Sequence, residues 1–391
     1  MAGPYSVVVV PGFGGTSLSY QGGMGGKTRL WYSPTQIIRN SPGALQLASD
    51  GASPQSPLGK TLFSDGPLDA GIYEPLLTQL TNDGLSPVFW GYDWRLSLSN
   101  LAGLLATYLS TVPLTNPFYV VCHSMGGLVA QLCYPAYLAA KASNTWATTL
   151  YLGTPHGGSY WAPAALSGLY TPGSEIYSLG GLLRVAAQAN PLGGAALLAT
   201  LTTLGIVVGS WPGLYQLMPS SLGPWAELDP NAAALLQLSS YARSPGGQQQ
   251  QWLTLAAAVL AQLNTGLSQP RPAEVCFVGT GMQTLSAITA PNDPERIASY
   301  ETTTAGDGTV TAARATLPGK TLVTFEQIGH SALCYSYPVT SQIKTYLQAP
   351  TTGGETIDTT SLGPQVATPP SLIPALPIPL GGPFVNTSND P

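Results

Sequence analysis

Charge is what this chain has least of. Only 8% of its 391 residues are Asp, Glu, Lys or Arg, against about a quarter in an ordinary globular protein, and the net charge is -5. So weak and slightly acidic a balance offers no footprint for a phosphate backbone, and nucleic acid is not expected as a partner. A surface made largely of Ser, Thr, Gln, Asn and Gly suits apolar or uncharged substrates better than polyanions. Cysteine is scarce as well. Cys122, Cys133, Cys276 and Cys334 lie far apart in apolar surroundings without a CxxC pair, so buried free thiols are expected rather than disulfides. No spacing provides paired zinc ligands, and neither a metal nor a cofactor is expected.

Two further features are missing. The amino terminus, "MAGPYSVVVV", lacks the basic start and longer apolar run of a secretory signal. That leaves an intracellular protein or a processed, secreted form as the two expectations. Residues 192 to 211, "LGGAALLATLTTLGIVVGSW", carry no charge over the length of a membrane span, yet four glycines and three threonines make them a poor one. A helix buried on several sides, or one facing a lipid-binding groove, is the preferred reading.

What is present is alternation. "YSVVVVPGFGG" reads as a central parallel strand ending in a tight turn, "IYEPLLTQLTNDG" as a helix and "LSPVFWGYDWR" as a strand. "LAGLLATYLSTV" is the next helix, "PFYVVCHS" the next strand, "MGGLVAQLCYPAYLAAKA" a helix and "TTLYLGTPHGG" a strand running into a loop. This order predicts an α/β fold, a mainly parallel central sheet with helices on both faces. Residues 1–157 are expected to form the first part of that core, with an inserted loop at about 20–65. Over 158–272 the alternation lapses into aromatic- and glycine-rich segments with helical pieces, "LLRVAAQAN" and "QQQWLTLAAAVLAQLNTGL", too long for a loop and read as an inserted cap or lid. The core resumes over 273–348 with "EVCFVGTG", "KTLVTFEQIGH" and a last helix. Residues 349–391, rich in Pro, Thr and Ser, suit an extended tail.

The chemistry centres on "FYVVCHSMGG". A run of β-formers ending at Ser124 among small residues has the layout of a strand that turns sharply into a helix and holds a nucleophile at the bend, although Cys122 stands where G-x-S-x-G has its first glycine. A serine needs a base, and the base needs a third group to orient it. Only three histidines compete. His123 adjoins Ser124, and neighbouring strand side chains point to opposite faces. His156 follows the next strand but precedes any candidate acid. His330 follows the last core strand, and Asp307, between glycines in "AGDGTV", precedes it. Ser124, Asp307 and His330 thus stand in the chain order of an α/β-hydrolase, with the amides of Met125 and Phe13 as oxyanion donors.

Taken together, "VVVVPGFGGTSL", "WGYDWRLS", "HSMGGLVAQ", "LGTPHGGS", "SWPGLYQLMP", "VGTGMQT", "AGDGTV" and "GHS" resemble, in order, the family of lecithin:cholesterol acyltransferase, which includes lysosomal phospholipase A2 and phospholipid:diacylglycerol acyltransferases. The resemblance covers about residues 5 to 347. It implies the α/β-hydrolase fold, the triad Ser124, Asp307 and His330, oxyanion donors Phe13 and Met125, and a lipid-binding role for the segment near 20 to 65 and for the cap. Phe13, Cys122 and the lack of paired cysteines depart from the family's pattern.

The expectation is a serine ester hydrolase of the lipase, phospholipase or esterase type, acting on lipid-like esters through an acyl-enzyme. Transfer of the acyl group to a lipid alcohol, or an inactive lipid-binding protein, are the alternatives. A lipid or other apolar ester is the expected partner, with transient contact to a membrane or lipid surface. Tyr160, Trp161, Trp211 and Tyr215 are candidates for an acyl pocket or for plain cap core, and Asp93 with Arg95 for a buried pair supporting the end of their strand.

Overall fold

The structure, a computed structural model, describes residues 4–31, 33, 42–68, 71–140, 143–166, 206–236, 248–290, 299–348 and 356–358. In chain order the strands are β1 (Tyr5–Val10), β2 (Thr16–Gln21), β3 (Lys27–Trp31), β4 (Phe63–Pro67), β5 (Pro87–Phe89), β6 (Leu114–His123), β7 (Trp146–Leu152), β8 (Ala273–Thr280), β9 (Thr284–Ile288), β10 (Tyr300–Thr303), β11 (Thr321–Glu326) and β12 (Thr356–Asp358). The helices that matter here are α1 (Glu74–Asn82), α2 (Leu98–Thr111), α3 (Met125–Ala139), α4 (Trp161–Leu166), α5 (Gln248–Gly266) and α6 (Tyr337–Gln348).

The valine run decides the centre. Val7, Val8, Val9 and Val10 are fully buried, which a strand achieves only with neighbours on both edges and cover on both faces. β5 and β6 flank β1, and the seven-stranded sheet runs β12-β11-β8-β7-β6-β1-β5. All of its pairings are parallel. The chain winds one way from β1 to β5 and the other way from β6 onward. The carboxyl ends of β1 and β6 therefore flank the crevice where doubly wound sheets bind their ligands. α3 packs with both α2 and α5, and α1 packs with α6, so helices cover both faces. α2 shows why such segments fold: Leu98, Leu101, Ala102, Leu105, Ala106 and Leu109 form one buried stripe, and the Ser97 hydroxyl accepts the Asn100 amide at its start. This sheet order, with a nucleophile-type turn after β6, is the α/β-hydrolase fold.

Two smaller antiparallel sheets, β3-β2-β4 and β9-β10, lie outside the main one. The first occupies part of the insertion expected at 20–65. The stretch "LSPVFWGYDWR" differs from its reading as one strand. Only Pro87–Phe89 pairs in the sheet. The rest clamps the exit of β1: the Tyr92 hydroxyl donates to the Pro11 carbonyl at 2.6 Å and the Trp94 indole to Thr16 at 3.3 Å. Gly91 permits this bend, since a Cβ there would lie 2.2 Å from the Ser64 hydroxyl. Arg95 is buried and forms a two-pronged pair with Asp93, at 2.8 and 2.6 Å, while donating to the Leu45 carbonyl at 2.8 Å. The structural reading of that pair holds.

The tail differs from expectation in one place, since Thr356–Asp358 adds an edge strand beside β11. "LLRVAAQAN" and the 192–211 run up to residue 205 lie outside the described residues, and 206–208 make a helical turn. Among the described residues no helix is long and apolar enough to cross a membrane.

All four cysteines are buried and free. Burial pushes the Cys133 and Cys276 thiols up to about 12, and the Cys122 thiol up as well. Native protein should therefore resist a thiol reagent at neutral pH and react at its four cysteines only once unfolded in urea. Removing the Arg95 guanidinium strands a carboxylate and a carbonyl. Arg95→Met should lower stability by about 3–5 kcal/mol, read as a drop in the urea midpoint.

Candidate active site

The site is built on a collision course between two strands and a helix. Val10 pairs beside Cys122, so the turns after β1 and β6 leave the sheet together. Ser124 sits at the bend with φ 52° and ψ -127°, a conformation that non-glycine residues avoid and that costs about 1–3 kcal/mol. The close approach explains the glycines around it. A Cβ on Gly126 would meet the carbonyl oxygens of Pro11 and Val10 at 2.4 and 2.5 Å, and one on Gly127 would meet the Thr154 hydroxyl at 2.1 Å. Cys122 itself is buried in the strand. The missing elbow glycine is thus tolerated, because the crowding falls on positions 126 and 127.

His330 follows β11 and bridges two groups. Its Nδ1 lies 2.7 Å from Asp307 Oδ2 and its Nε2 2.8 Å from Ser124 Oγ. An ionised carboxylate only accepts, so Nδ1 carries the hydrogen, Nε2 is the acceptor and the serine hydroxyl donates to it. Asp307 is itself fixed: Oδ1 accepts the amides of Thr309 at 2.9 Å and Val310 at 2.7 Å, and its carbonyl accepts the His330 amide at 2.8 Å. Gly153 makes room for this pair, since a Cβ there would lie 2.9 Å from Asp307 Oδ2 and 3.1 Å from His330 Nδ1. The three residues proposed from sequence order are brought together, in a chain of bonds that can take a proton from Ser124.

The other histidines stand apart from that chain. His123 contacts the Tyr73 hydroxyl at 2.9 Å and the His330 carbonyl at 3.2 Å. His156 accepts from Gln131 at 3.0 Å and packs edge-on to Tyr151. Burial holds both well below the ordinary histidine range, with the neighbouring His330 adding to the effect on His123. Both are therefore neutral at pH 7.

The two candidate oxyanion donors belong to the turns that follow β6 and β1. Met125 begins a 15-residue helix whose amino-terminal amides and dipole favour negative charge. In the turn after β1 the Gly12 amide is bound by the Tyr73 hydroxyl at 2.9 Å and the Gly15 amide by the Gly12 carbonyl at 3.1 Å. Among the described residues the Phe13 and Gly14 amides of that turn remain uncommitted.

A cavity of about 80 Å³ opens at Ser124 and His330, with Phe13, Leu68, Ile72, Trp161, Leu217 and Val310 as apolar walls and Tyr73, His123, Ser159 and Thr309 among the polar ones. No Asp, Glu, Lys or Arg lines it among the described residues. Of the four aromatics singled out in the sequence, only Trp161 reaches it. Tyr160 is fully buried, its hydroxyl given to Asp229 and bound by Arg314. The Trp211 indole donates to the Leu45 carbonyl at 2.9 Å, and the Tyr215 hydroxyl to Gly209 at 3.1 Å. Those three are core, each with its polar atom satisfied inward. Trp211 bears on the cavity only by backing Phe13, 6.0 Å away. Leu68, Ile72, Leu217, Thr309 and Val310 escaped notice in the sequence. Thr309 and Val310 alone carried a signal, as the residues that close the turn after Asp307. No group of three or more potential metal ligands occurs among the described residues.

No family model and no curated protein matches the chain. Solved structures similar to it include the propeptide form of the Bacillus licheniformis lipase BlEst2, 13% identical over 91% of this chain and 52% of that one, TM-score 0.37. Others are a metagenomic carboxyl esterase, 14% identical over 89% and 76% of the two chains, TM-score 0.38, and the RedJ thioesterase from Streptomyces coelicolor, 13% identical over 88% and 90%, TM-score 0.32. The chain spans about half, 52%, of the length of the first of these. Likenesses this distant do not bear on the site, whose chemistry follows from its own geometry.

Gly126→Ala forces the carbonyls of Val10 and Pro11 away from the helix start. The variant should fold less stably and lose about 100-fold in turnover of an activated ester, measured as kcat on protein whose folding is checked by circular dichroism.

Proposed function

We propose that the protein is a serine carboxylic-ester hydrolase working through an acyl-enzyme on uncharged, lipid-like esters, in the lecithin:cholesterol acyltransferase-like family that its motifs resemble. The observation that carries this reading is the bonded chain Ser124–His330–Asp307 at the mouth of an apolar cavity. His330 Nε2 accepts the hydroxyl proton as Ser124 Oγ attacks the ester carbonyl carbon. The Asp307 carboxylate keeps the ring oriented and stabilises the imidazolium. Amides of Phe13 and Met125 donate to the oxyanion, and the imidazolium then gives its proton to the departing alkoxide, which leaves as the alcohol. Water, deprotonated by His330, attacks the acyl-serine, and the carboxylic acid departs as Ser124 regains its proton. An uncharged cavity wall suits a hydrocarbon acyl chain and disfavours a charged one, which would lose its hydration with no partner.

The deciding experiment is a screen of acyl esters and phospholipids with wild type, Ser124→Ala and His330→Ala, together with fluorophosphonate labelling. Wild type should be labelled at Ser124 and should hydrolyse esters with uncharged acyl chains, and each variant should lose about 10³-fold or more in kcat. Retained activity in Ser124→Ala would overturn the site, and unlabelled wild type would leave an inactive lipid-binding protein. Adding a lipid alcohol and comparing free acid with new ester tells hydrolysis from acyl transfer.

A further inference from the structure

The turn that supplies the Phe13 amide is tied to the far side of the site by two side chains outside the triad. Tyr73, one residue before α1, receives the Gly12 amide at 2.9 Å on its hydroxyl oxygen and touches His123 Nδ1 at 2.9 Å. His123 Nε2 lies 3.2 Å from the main-chain carbonyl of His330. A carbonyl only accepts, so Nε2 carries the hydrogen and Nδ1 is an acceptor. The directions are thereby fixed: Gly12 N–H to Tyr73 Oη, Tyr73 O–H to His123 Nδ1, His123 Nε2–H to the His330 carbonyl.

The packing is as tight as the bonding. A Cβ on Gly12 would meet Ser124 Cβ at 2.8 Å and His123 Nδ1 at 3.0 Å, and one on Gly15 would meet the Tyr73 hydroxyl at 2.5 Å. Tyr92 holds the Pro11 carbonyl at 2.6 Å and Trp31 the Gly14 carbonyl at 2.7 Å. Tyr73 and Tyr92 hold the two ends of the Pro11–Gly12 peptide, the one before the peptide that carries the Phe13 amide, and of these anchors Tyr73 links it through His123 to His330. Resting on the serine-hydrolase reading, we propose that Tyr73 and His123 are positioning residues that aim the Phe13 amide at the reacting oxygen and hold it in register with His330. Both line the cavity, but their polar atoms are taken up by Gly12, by each other and by His330. Their contribution appears where charge develops on that oxygen, in turnover rather than in substrate affinity.

Tyr73→Phe tests this with little risk to folding, because the ring keeps its packing on Phe89 and His123, at 5.3 and 5.8 Å. His123→Leu removes both bonds, and His123→Gln returns an acceptor and a donor on one planar group. The measurements are kcat and KM for a p-nitrophenyl acyl ester, per serine titrated with fluorophosphonate. Alongside them stands the affinity for an alkyl trifluoromethyl ketone, whose serine adduct carries an oxyanion. Tyr73→Phe and His123→Leu should lower kcat by about 10- to 100-fold with KM within about 2-fold. Affinity for the ketone should fall in parallel, and His123→Gln should recover most of both. Wild-type kcat and ketone affinity in Tyr73→Phe, whatever its melting temperature, would overturn the inference, as would a glutamine no better than leucine. Wild type that neither turns over the ester nor binds the ketone would sink the esterase reading and this inference with it. Active wild type beside unchanged variants would sink this inference alone.

Discussion

The near-contact between the end of β1 and the first turn of α3 is the constraint on which this site depends. Carbonyl oxygens of Val10 and Pro11 stand where a side chain at position 126 would be, so only glycine lets the helix begin there. Ser124 must then turn the chain in a single residue, which is why its φ is 52°. A lone strained residue would relax if it could. Here the fully buried valines of β1, the parallel bonds of β6 and the Ser124 amide given to Leu152 at 2.9 Å leave it nowhere to go. The same approach lays the Gly12 turn against Ser124, so that holding the serine and holding the turn after β1 become one packing problem.

Scarcity of charge shapes how that site is polarised. Asp307 is the carboxylate that faces His330, and backbone amides of its own turn hold it. His123 and His156 are kept neutral by burial, so neither competes with His330 for the proton. On the proposed mechanism, stabilisation of an oxyanion falls to peptide dipoles and to the start of α3, which carry no net charge and so add little to the desolvation cost of an apolar pocket. Elsewhere the buried cations follow the same economy. Arg95, besides its pair with Asp93, and Arg314 both spend donors on main-chain carbonyls and so stitch loops together.

How much of this the sequence disclosed follows from the range of each interaction. The valine strand, the glycines after it, the serine turn and the order serine, aspartate, histidine are local patterns, and they locate the sheet and the bonded triad. Tyr73 is different in kind. It lies 61 positions from Gly12 and 50 from His123, and nothing around it in sequence marks it. Tyr160, Trp211 and Tyr215 stayed open between pocket and core because aromatic content does not say which way a ring faces. The polar atoms of these three found Asp229 and the carbonyls of Leu45 and Gly209 within the core. Composition does not mark the strand at Thr356–Asp358 either, because an edge strand needs only an exposed ladder and a few extended residues.

The cavity walls divide by how closely they are bound to the catalytic parts. Thr309 and Val310 line the pocket, yet their amides hold the Asp307 carboxylate and so reach His330. Phe13 lines it too, and its amide is the proposed oxyanion donor of this loop. A change of side chain at any of these three bears on backbone that the proposed mechanism uses. Ile72 contributes a side chain without such a tie among the described residues, whereas the Trp161 amide and the Leu217 carbonyl both meet Ser159, whose hydroxyl donates to the Thr309 carbonyl. On the proposed function, acyl selectivity can therefore vary at Ile72 while the chemistry stays intact. At 13, 309 and 310 the wall of the pocket and the frame of the proposed reaction are the same few peptide units.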